Sequence, residues 1–124
     1  MSKKILIVDD DRFFVELYQE RLMIAGYEVI YQPQSDKAAK TAEEIKPDLI
    51  LLDLMMPMMS GEEVFHALRT NPVTKNIPVF IFTALSGNSQ LRESLTKEAD
   101  GYIVKSEIIP KDLVDIIGKK LAKG

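Results

Sequence analysis

The chain has 124 residues, of which 46% are hydrophobic and 28% charged, with a formal net charge of −3 and no cysteine. This length and apolar content predict one domain covering residues 1–124, and the lack of cysteine excludes disulfides and thiolate metal sites. The acidic charge, without a dense basic run, disfavours nucleic-acid binding. No apolar run reaches membrane-spanning length and the start of the chain does not resemble a signal peptide, so a cytoplasmic protein is expected.

Short apolar segments alternate with longer segments of helical spacing along the chain. They predict strands at 5–8, 28–31, 49–52, 79–82 and 102–104, and helices at about 12–25, 36–46, 61–69, 87–98 and 110–121. The boundary signals are Gly26 and Pro47 after the first two helices, a Ser60/Glu63 capping box, and Pro110 in the first turn of the last helix. The alternation predicts a doubly wound α/β domain with a parallel five-stranded sheet, whose more polar second strand lies at an edge.

Charged or reactive residues follow four of the five predicted strands. They are Asp9, Asp10 and Asp11 after the first strand, Asp53 after the third, Thr83 after the fourth and Lys105 after the fifth. The residues after the second strand, Gln32 and Pro33, offer no obvious chemistry. Because ligands of an open parallel sheet bind beyond the carboxyl ends of its strands, we expect these side chains to lie together.

Each of these residues alone has a structural explanation. An aspartate after a strand usually begins a turn or caps a helix, and Asp11 is expected to cap the first helix. As a group they indicate a cation, because two unit charges about 4 Å apart repel by roughly 4 kcal/mol at an effective dielectric of about 20. Lys105 supplies one positive charge among Asp9, Asp10 and Asp53. A cation must supply the remaining positive charge, and the all-oxygen ligand set favours Mg²⁺.

The residues around Asp53 complete a family pattern. It consists of Val8-Asp9-Asp10, Asp53 with Pro57 and Gly61, Thr83-Ala84, and Tyr102 three residues before Lys105. On these residues the chain resembles, from Lys4 to Leu121, the receiver domains of bacterial two-component response regulators, most closely the stand-alone chemotaxis-type regulators. The resemblance implies a flavodoxin-like (βα)5 fold with strand order 2-1-3-4-5, and a phosphoacceptor signalling switch that is not an enzyme.

The resemblance also implies roles for the site residues. Asp53 would accept the phosphoryl group, while Thr83 hydrogen-bonds one phosphoryl oxygen and Lys105 pairs with another. These roles agree with phosphoryl-transfer chemistry, which depends on positioning and on neutralising the charge of those oxygens. The implied ligands of Mg²⁺ are Asp10 and Asp53 directly, Asp9 through a water molecule, and the backbone carbonyl of Met55.

Thr83 and Tyr102 would form the switch of such a domain. In this interpretation Tyr102 moves between exposed and buried positions as Thr83 moves toward the phosphoryl group. The alternative is that Tyr102 is an edge-strand residue that packs and never switches.

Two features set this chain apart within the resemblance. Most receiver domains have proline after the lysine, whereas this chain has Ser106; a cis bond before a non-proline residue costs about 2.5–4 kcal/mol, so a trans bond is expected. Met55 and Leu85 stand two residues after Asp53 and Thr83, where a side chain could hold the hydrolytic water. Because neither forms strong hydrogen bonds, the sequence predicts slow self-dephosphorylation.

The first helix is more apolar than one buried face requires. One stripe, consisting of Phe14, Val15, Tyr18, Leu22 and Ala25, is expected to face the core. A second stripe of Phe13, Leu17 and Ile24 is typical of a partner surface, and the resemblance implies a histidine kinase or a histidine phosphotransfer protein as that partner. The alternative is that neighbouring elements cover both stripes. The downstream target cannot be named from the sequence.

The methionine-rich loop after Asp53 is expected to contribute to the core. Met56 and Met59 are predicted to fill the space beneath the site, with only Met58 exposed, although the loop could instead be an adaptable docking surface. His66 lies in the middle of the third helix and is predicted to be a surface residue.

Three rival functions can be compared with the sequence. A haloacid-dehalogenase-type phosphatase would need a second aspartate where this chain has Met55. A nucleotide or flavin site would need a glycine-rich turn after the first strand, and this chain has none there. The remaining alternative is a degenerate receiver that binds partners without being phosphorylated. Such domains usually lack the acceptor, an acidic residue or the lysine, and this chain has all of them.

Overall fold

A computed structural model describes residues 2–85 and 90–122 of the chain, except for the side chains of residues 91 and 92. The elements in chain order are β1 (Lys4–Val8), α1 (Arg12–Ile24), β2 (Glu28–Gln32), α2 (Ala38–Ile45), β3 (Leu49–Leu52), α3 (Gly61–Thr70), β4 (Val79–Thr83), α4 (Gln90–Glu98), β5 (Gly101–Val104) and α5 (Pro110–Ala122). Short 3-10 turns at Ser35–Lys37 and Lys105–Glu107 precede α2 and α5. Residues 87–89 of the predicted fourth helix lie outside the described residues.

The strands form one parallel sheet in the order β2-β1-β3-β4-β5, which confirms the predicted order and the edge position of β2. The register aligns the strand ends: Val8 pairs with both Gln32 and Leu52, and Thr83 pairs with Val104. The residue after each of these ends therefore lies at one border of the sheet, which we call the carboxyl edge.

Helices cover both faces of the sheet, as predicted. Leu6 and Val8 face a buried cluster that includes residues of α2, α3 and α4, and Ile5 and Ile7 face a second cluster with residues of α1 and α5. β3 is buried along its whole length, as expected for a central strand covered on both sides. Within the described part of the chain, no helix is long and apolar enough to cross a membrane.

Local signals set most helix ends where the sequence places them. The Ser60/Glu63 capping box begins α3, Asp11 caps α1 by accepting a hydrogen bond from the Phe14 N–H, and Pro110 begins α5. Helix α2 is shorter than predicted, because the chain forms the 3-10 turn at Ser35–Lys37 where the first turn of the helix was expected.

The core-facing stripe of α1 was predicted correctly except at its end. Val15, Tyr18 and Leu22 are buried and Phe14 is half-buried, but Ala25 is exposed. Ala25 is the C-cap, and at Gly26 the backbone adopts a φ of 102°, so the chain leaves the helix before Ala25 reaches the core.

Candidate functional site

The carboxyl edge brings Asp9, Asp53 and Lys105 together, as the sequence predicts, and the strand register places Thr83 at the same edge. Asp53 continues the pairing of β3 one residue past the strand, since its N–H donates to the Val8 carbonyl at 3.0 Å. Asp9, Asp53 and Thr83 are 2%, 5% and 0% exposed, which is unusual burial for polar residues. Buried polar groups of this kind need partners, and the partners define the site.

Asp9, Asp10 and Asp53 form an acidic triad in which one carboxylate oxygen from each residue lies within 4.8 Å of the other two. Burial raises the pKa of the Asp9 carboxyl above its ordinary value; the Lys105 and Asp11 hydrogen bonds oppose this rise, and the Asp53 charge adds to it. Asp10 is exposed and provides the open side of the cluster.

Lys105 provides the one ammonium group that contacts the triad among the described residues. It lies in the 3-10 turn after β5, and its Nζ is 2.6 Å from Asp9 Oδ2 and 3.5 Å from Asp53 Oδ2. One positive charge against three carboxylates leaves an excess of negative charge. An all-oxygen cluster with this excess and one exposed member fits a hard divalent cation such as Mg²⁺.

Backbone N–H groups orient two of the three carboxylates. Asp53 Oδ1 accepts from the Met55 N–H at 3.2 Å, and Asp9 Oδ1 accepts from the Asp11 N–H at 2.9 Å. The turn that aims the Met55 N–H at Asp53 leaves the Met55 side chain 58% exposed. The prediction that only Met58 is exposed in this loop is therefore wrong, although Met58 is 83% exposed and Met56 and Met59 pack against the core as predicted.

Gly61 allows α3 to begin directly behind Asp53. A Cβ at this position would overlap the Asp53 carbonyl and the Leu54 Cα, and the Gly61 N–H donates to the Leu54 carbonyl at 3.2 Å. The sequence gives this glycine as part of a motif, and its close approach to the backbone supplies the physical reason.

Thr83 and Tyr102 both form hydrogen bonds with the backbone of Leu85. The Thr83 Oγ1 accepts from the Leu85 N–H at 3.3 Å, and the Tyr102 hydroxyl donates to the Leu85 carbonyl at 2.9 Å. Tyr102 is half-buried and packs against the core, as does Leu85. The backbone of Leu85 therefore links the two predicted switch residues.

Two residues with roles at the site were not predicted. Ser35 is 1% exposed; its hydroxyl donates to the Pro57 carbonyl at 2.7 Å and accepts from the Met59 N–H at 3.0 Å, which fixes the loop after Asp53. Phe14, which the sequence assigns to the core, lies with its ring centroid 4.4 Å from Lys105 Nζ. A serine in a loop, such as Ser35, gives no signal in the sequence. Phe14 gives a weak one, because it is an apolar residue only three positions after the N-cap Asp11.

The second stripe of α1 is exposed. Phe13, Leu17 and Ile24 are 79%, 54% and 74% exposed, and Met23 between them is 57% exposed. No described element of the chain buries them, so the alternative in which neighbours cover both stripes is wrong. His66 is exposed on α3, as predicted, and the peptide bond before Ser106 is trans.

Comparison with known proteins agrees with this geometry. Residues 5–118 match the family described as response regulator receiver domain. The chain is 40% identical over 105 residues to the alkaline phosphatase synthesis transcriptional regulatory protein PhoP of Bacillus subtilis, which covers 85% of this chain and 43% of that protein. It is 38% identical over 105 residues to the response regulator PleD of Caulobacter vibrioides, covering 85% of this chain and 23% of PleD. The chain thus spans less than half of either relative.

Solved structures of similar length have the same fold. A CheY-like response regulator receiver domain protein from Methanospirillum hungatei superposes with a TM-score of 0.85 at 30% identity, covering 99% of this chain and 96% of that one. The chemotaxis protein CheY4 of Vibrio cholerae superposes with a TM-score of 0.84 at 28% identity, covering 96% and 98%. This chain therefore belongs to the receiver domain family of two-component response regulators.

Proposed function

We propose that this domain accepts a phosphoryl group on Asp53 in a Mg²⁺-dependent reaction and then changes its partner-binding surface. The observation that carries the proposal is the buried Asp53 carboxylate, oriented by the Met55 N–H and flanked by the rest of the acidic triad and by Lys105. Receiver domains interact with histidine kinases and phosphotransfer proteins, so phosphohistidine is the proposed donor. An Asp53 oxygen forms the new O–P bond, the P–N bond breaks, and the imidazole leaves with the electron pair.

Asp9, Asp10 and Asp53 are the residues that would hold Mg²⁺, with the Met55 carbonyl as a further proposed ligand. The ion, when bound, supplies positive charge that offsets the carboxylates and the phosphoryl oxygens. The chain's own contribution is to hold the oxygens of Asp9 and Asp53 in fixed directions through the Asp11 and Met55 N–H groups.

Lys105 supplies the second positive charge of the proposed reaction. Its Nζ is bonded to Asp9 Oδ2 at 2.6 Å and lies 3.5 Å from Asp53 Oδ2, so a small shift brings it to a phosphoryl oxygen on Asp53. Phosphoryl transfer is assisted mainly by such positioned charges, because the transition state carries its charge on the equatorial oxygens.

Thr83 and Tyr102 are the proposed switch. If the Thr83 hydroxyl turns to donate to a phosphoryl oxygen, its bond from the Leu85 N–H changes, and so does the position of the Leu85 carbonyl to which Tyr102 donates. The hydroxyl group thereby couples the state of Asp53 to an aromatic side chain near α4.

The exposed stripe of α1 is the proposed contact for the histidine kinase or phosphotransfer protein. Phe13, Leu17 and Ile24 present large apolar side chains to solvent along α1, which begins at the carboxyl edge, and such groups are the usual centre of protein interfaces. The alternative, a degenerate receiver that is never phosphorylated, has no specific observation in its favour.

Incubation with acetyl phosphate and Mg²⁺, followed by intact-protein mass spectrometry, tests the proposal. Wild type should gain one phosphoryl group, Asp53→Asn should gain none, and chelation of Mg²⁺ should stop the reaction. Asp36→Asn is the matched control, since Asp36 is an exposed aspartate outside the site, and it should be labelled like wild type. Equal labelling of Asp53→Asn, or none of wild type, would contradict the proposed function.

A further inference from the structure

The ring of Phe14 lies beside the ammonium group of Lys105, with 4.4 Å between Nζ and the ring centroid. A cation within about 6 Å of an aromatic face is attracted by the negative potential of the ring. We propose that Phe14 is a positioning residue that holds Lys105 in place for phosphoryl transfer to Asp53. The inference rests on the proposed function and adds to it a residue of α1.

Four contacts connect Phe14, Lys105, Asp9 and Asp11 in a closed cycle. Lys105 Nζ bonds Asp9 Oδ2, and the Asp11 N–H donates to Asp9 Oδ1 at 2.9 Å. The carboxylate of Asp11 then accepts from the Phe14 N–H at 3.1 Å, which fixes the first turn of α1. Asp9, which binds the lysine, is thus linked through Asp11 to the backbone of Phe14.

The phenyl ring of Phe14 also packs against two other aromatic residues. Its centroid lies 4.7 Å from that of Tyr18 and 5.6 Å from that of Phe82, and both of these residues are buried. The Lys105 side chain is 10% exposed. Cation–π attraction is stronger where water is excluded, so the contact is more effective here than on an open surface.

The contact matters because Lys105 must change partners. Before transfer its ammonium group is bonded to Asp9, and during transfer it must pair with a phosphoryl oxygen on Asp53. Attraction to a ring face has no fixed hydrogen-bond direction, so Phe14 can hold the ammonium group throughout this change. An aliphatic residue at position 14 would leave the lysine held by the Asp9 and Asp53 carboxylates alone, and the change of partner would be slower.

A series of fluorinated phenylalanines, placed specifically at position 14, tests this role. Fluorine weakens the negative potential of the ring with little change in volume, so a packing role alone predicts no trend. We expect the rate of labelling by acetyl phosphate to fall stepwise with each fluorine, by about tenfold over the series. The matched control is the same series at Phe82, which packs against Phe14 within the core and should change the rate less than about twofold.

A spectroscopic measurement tests the contact without any phosphorylation. The ε-methylene protons of Lys105 should show an upfield ring-current shift in wild type, which Phe14→Leu removes and Phe82→Leu retains. Equal labelling rates across the position 14 series, or no ring-current shift in wild type, would overturn the role of Phe14. Failure of wild type to be labelled at all would instead overturn the proposed function, so the two failures are distinguishable.

Discussion

The carboxyl edge of the sheet and the opposite, amino edge, where the strands begin, each carry an ionic cluster. The two clusters differ in their balance of charge. At the carboxyl edge, the acidic triad meets one ammonium group. At the opposite, amino edge, the single carboxylate of Asp100 lies 3.1 Å from both Arg69 and Lys120. Asp100 also accepts from the Val79 N–H at 2.8 Å, so this cluster is fully satisfied by the chain itself.

The difference separates a cluster that is paired within the chain from one that keeps an excess of negative charge. The amino-edge cluster, which consists of Arg69, Asp100 and Lys120, joins α3, α5 and the starts of β4 and β5, and its one excess positive charge is carried by side chains that are partly exposed to water. The acidic triad has charge that the chain leaves unbalanced, and burial makes this costly. Under the proposed function, Mg²⁺ would supply positive charge at the carboxyl edge.

The largest expected effect is a difference in sign between the same substitution at the two edges. Asp100→Asn should lower the stability by about 1–2 kcal/mol, because it removes the charge that pairs with two cations. Asp9→Asn should instead raise the stability of the metal-free protein at neutral pH, since it removes a buried charge whose ionisation the fold opposes. Thermal melts should show opposite shifts, with a loss of about 4–8 °C for Asp100→Asn.

The pH dependence of the Asp9→Asn effect checks its cause. An acid whose pKa is raised in the folded state binds more protons there than in the unfolded state, so stability falls as the pH rises above its ordinary pKa. That ordinary value is 3.8 for Asp9. The advantage of Asp9→Asn should therefore be small below this pH and grow above it. Destabilisation by Asp9→Asn at neutral pH would contradict the comparison of the two edges.

Beryllofluoride, which mimics a bound phosphoryl group, should affect the two edges unequally. With Mg²⁺ present, the amide NMR signals of Thr83, Leu85, Tyr102 and α4 should shift more than those of α2 or of the amino-edge cluster. The reason is the shared bonding of Thr83 and Tyr102 to Leu85. Asp53→Asn should show none of these shifts. Shifts confined to the loop after Asp53 would count against the switch.

The parts of this structure that follow simple periodicities could be predicted from the sequence. Apolar strands, helical spacing and local caps such as Ser60 with Glu63 gave the fold, and the family pattern gave the strand order. The acidic triad was also predictable, because the carboxyl ends of parallel strands must meet at one edge.

The contacts that depend on side-chain direction could not be predicted. Ser35 lies 22 residues before Pro57, and only the packed fold places its hydroxyl under the loop. Phe14 was assigned to the core by its spacing, and spacing alone cannot show that one face of its ring meets Lys105. Met55 was misplaced because the turn after Asp53 directs its side chain outward.

The smallest expected effect concerns how long the phosphoryl group remains on Asp53. Water must attack the phosphorus in line, and the sequence predicts that Met55 and Leu85, neither of which hydrogen-bonds water strongly, stand where a side chain could hold it. We expect Met55→Asn with Leu85→Glu to speed the decay of phosphorylated protein several-fold, and Met55→Asn alone to account for most of the change. The reason for this division is that Met55 is 58% exposed at the site, whereas Leu85 packs against the core. Met58→Asn is the matched control, since Met58 is an exposed methionine of the same loop. Decay measured by intact-protein mass spectrometry after removal of the donor decides the matter: equal or slower decay in the double variant would show that these side chains do not limit the access of water.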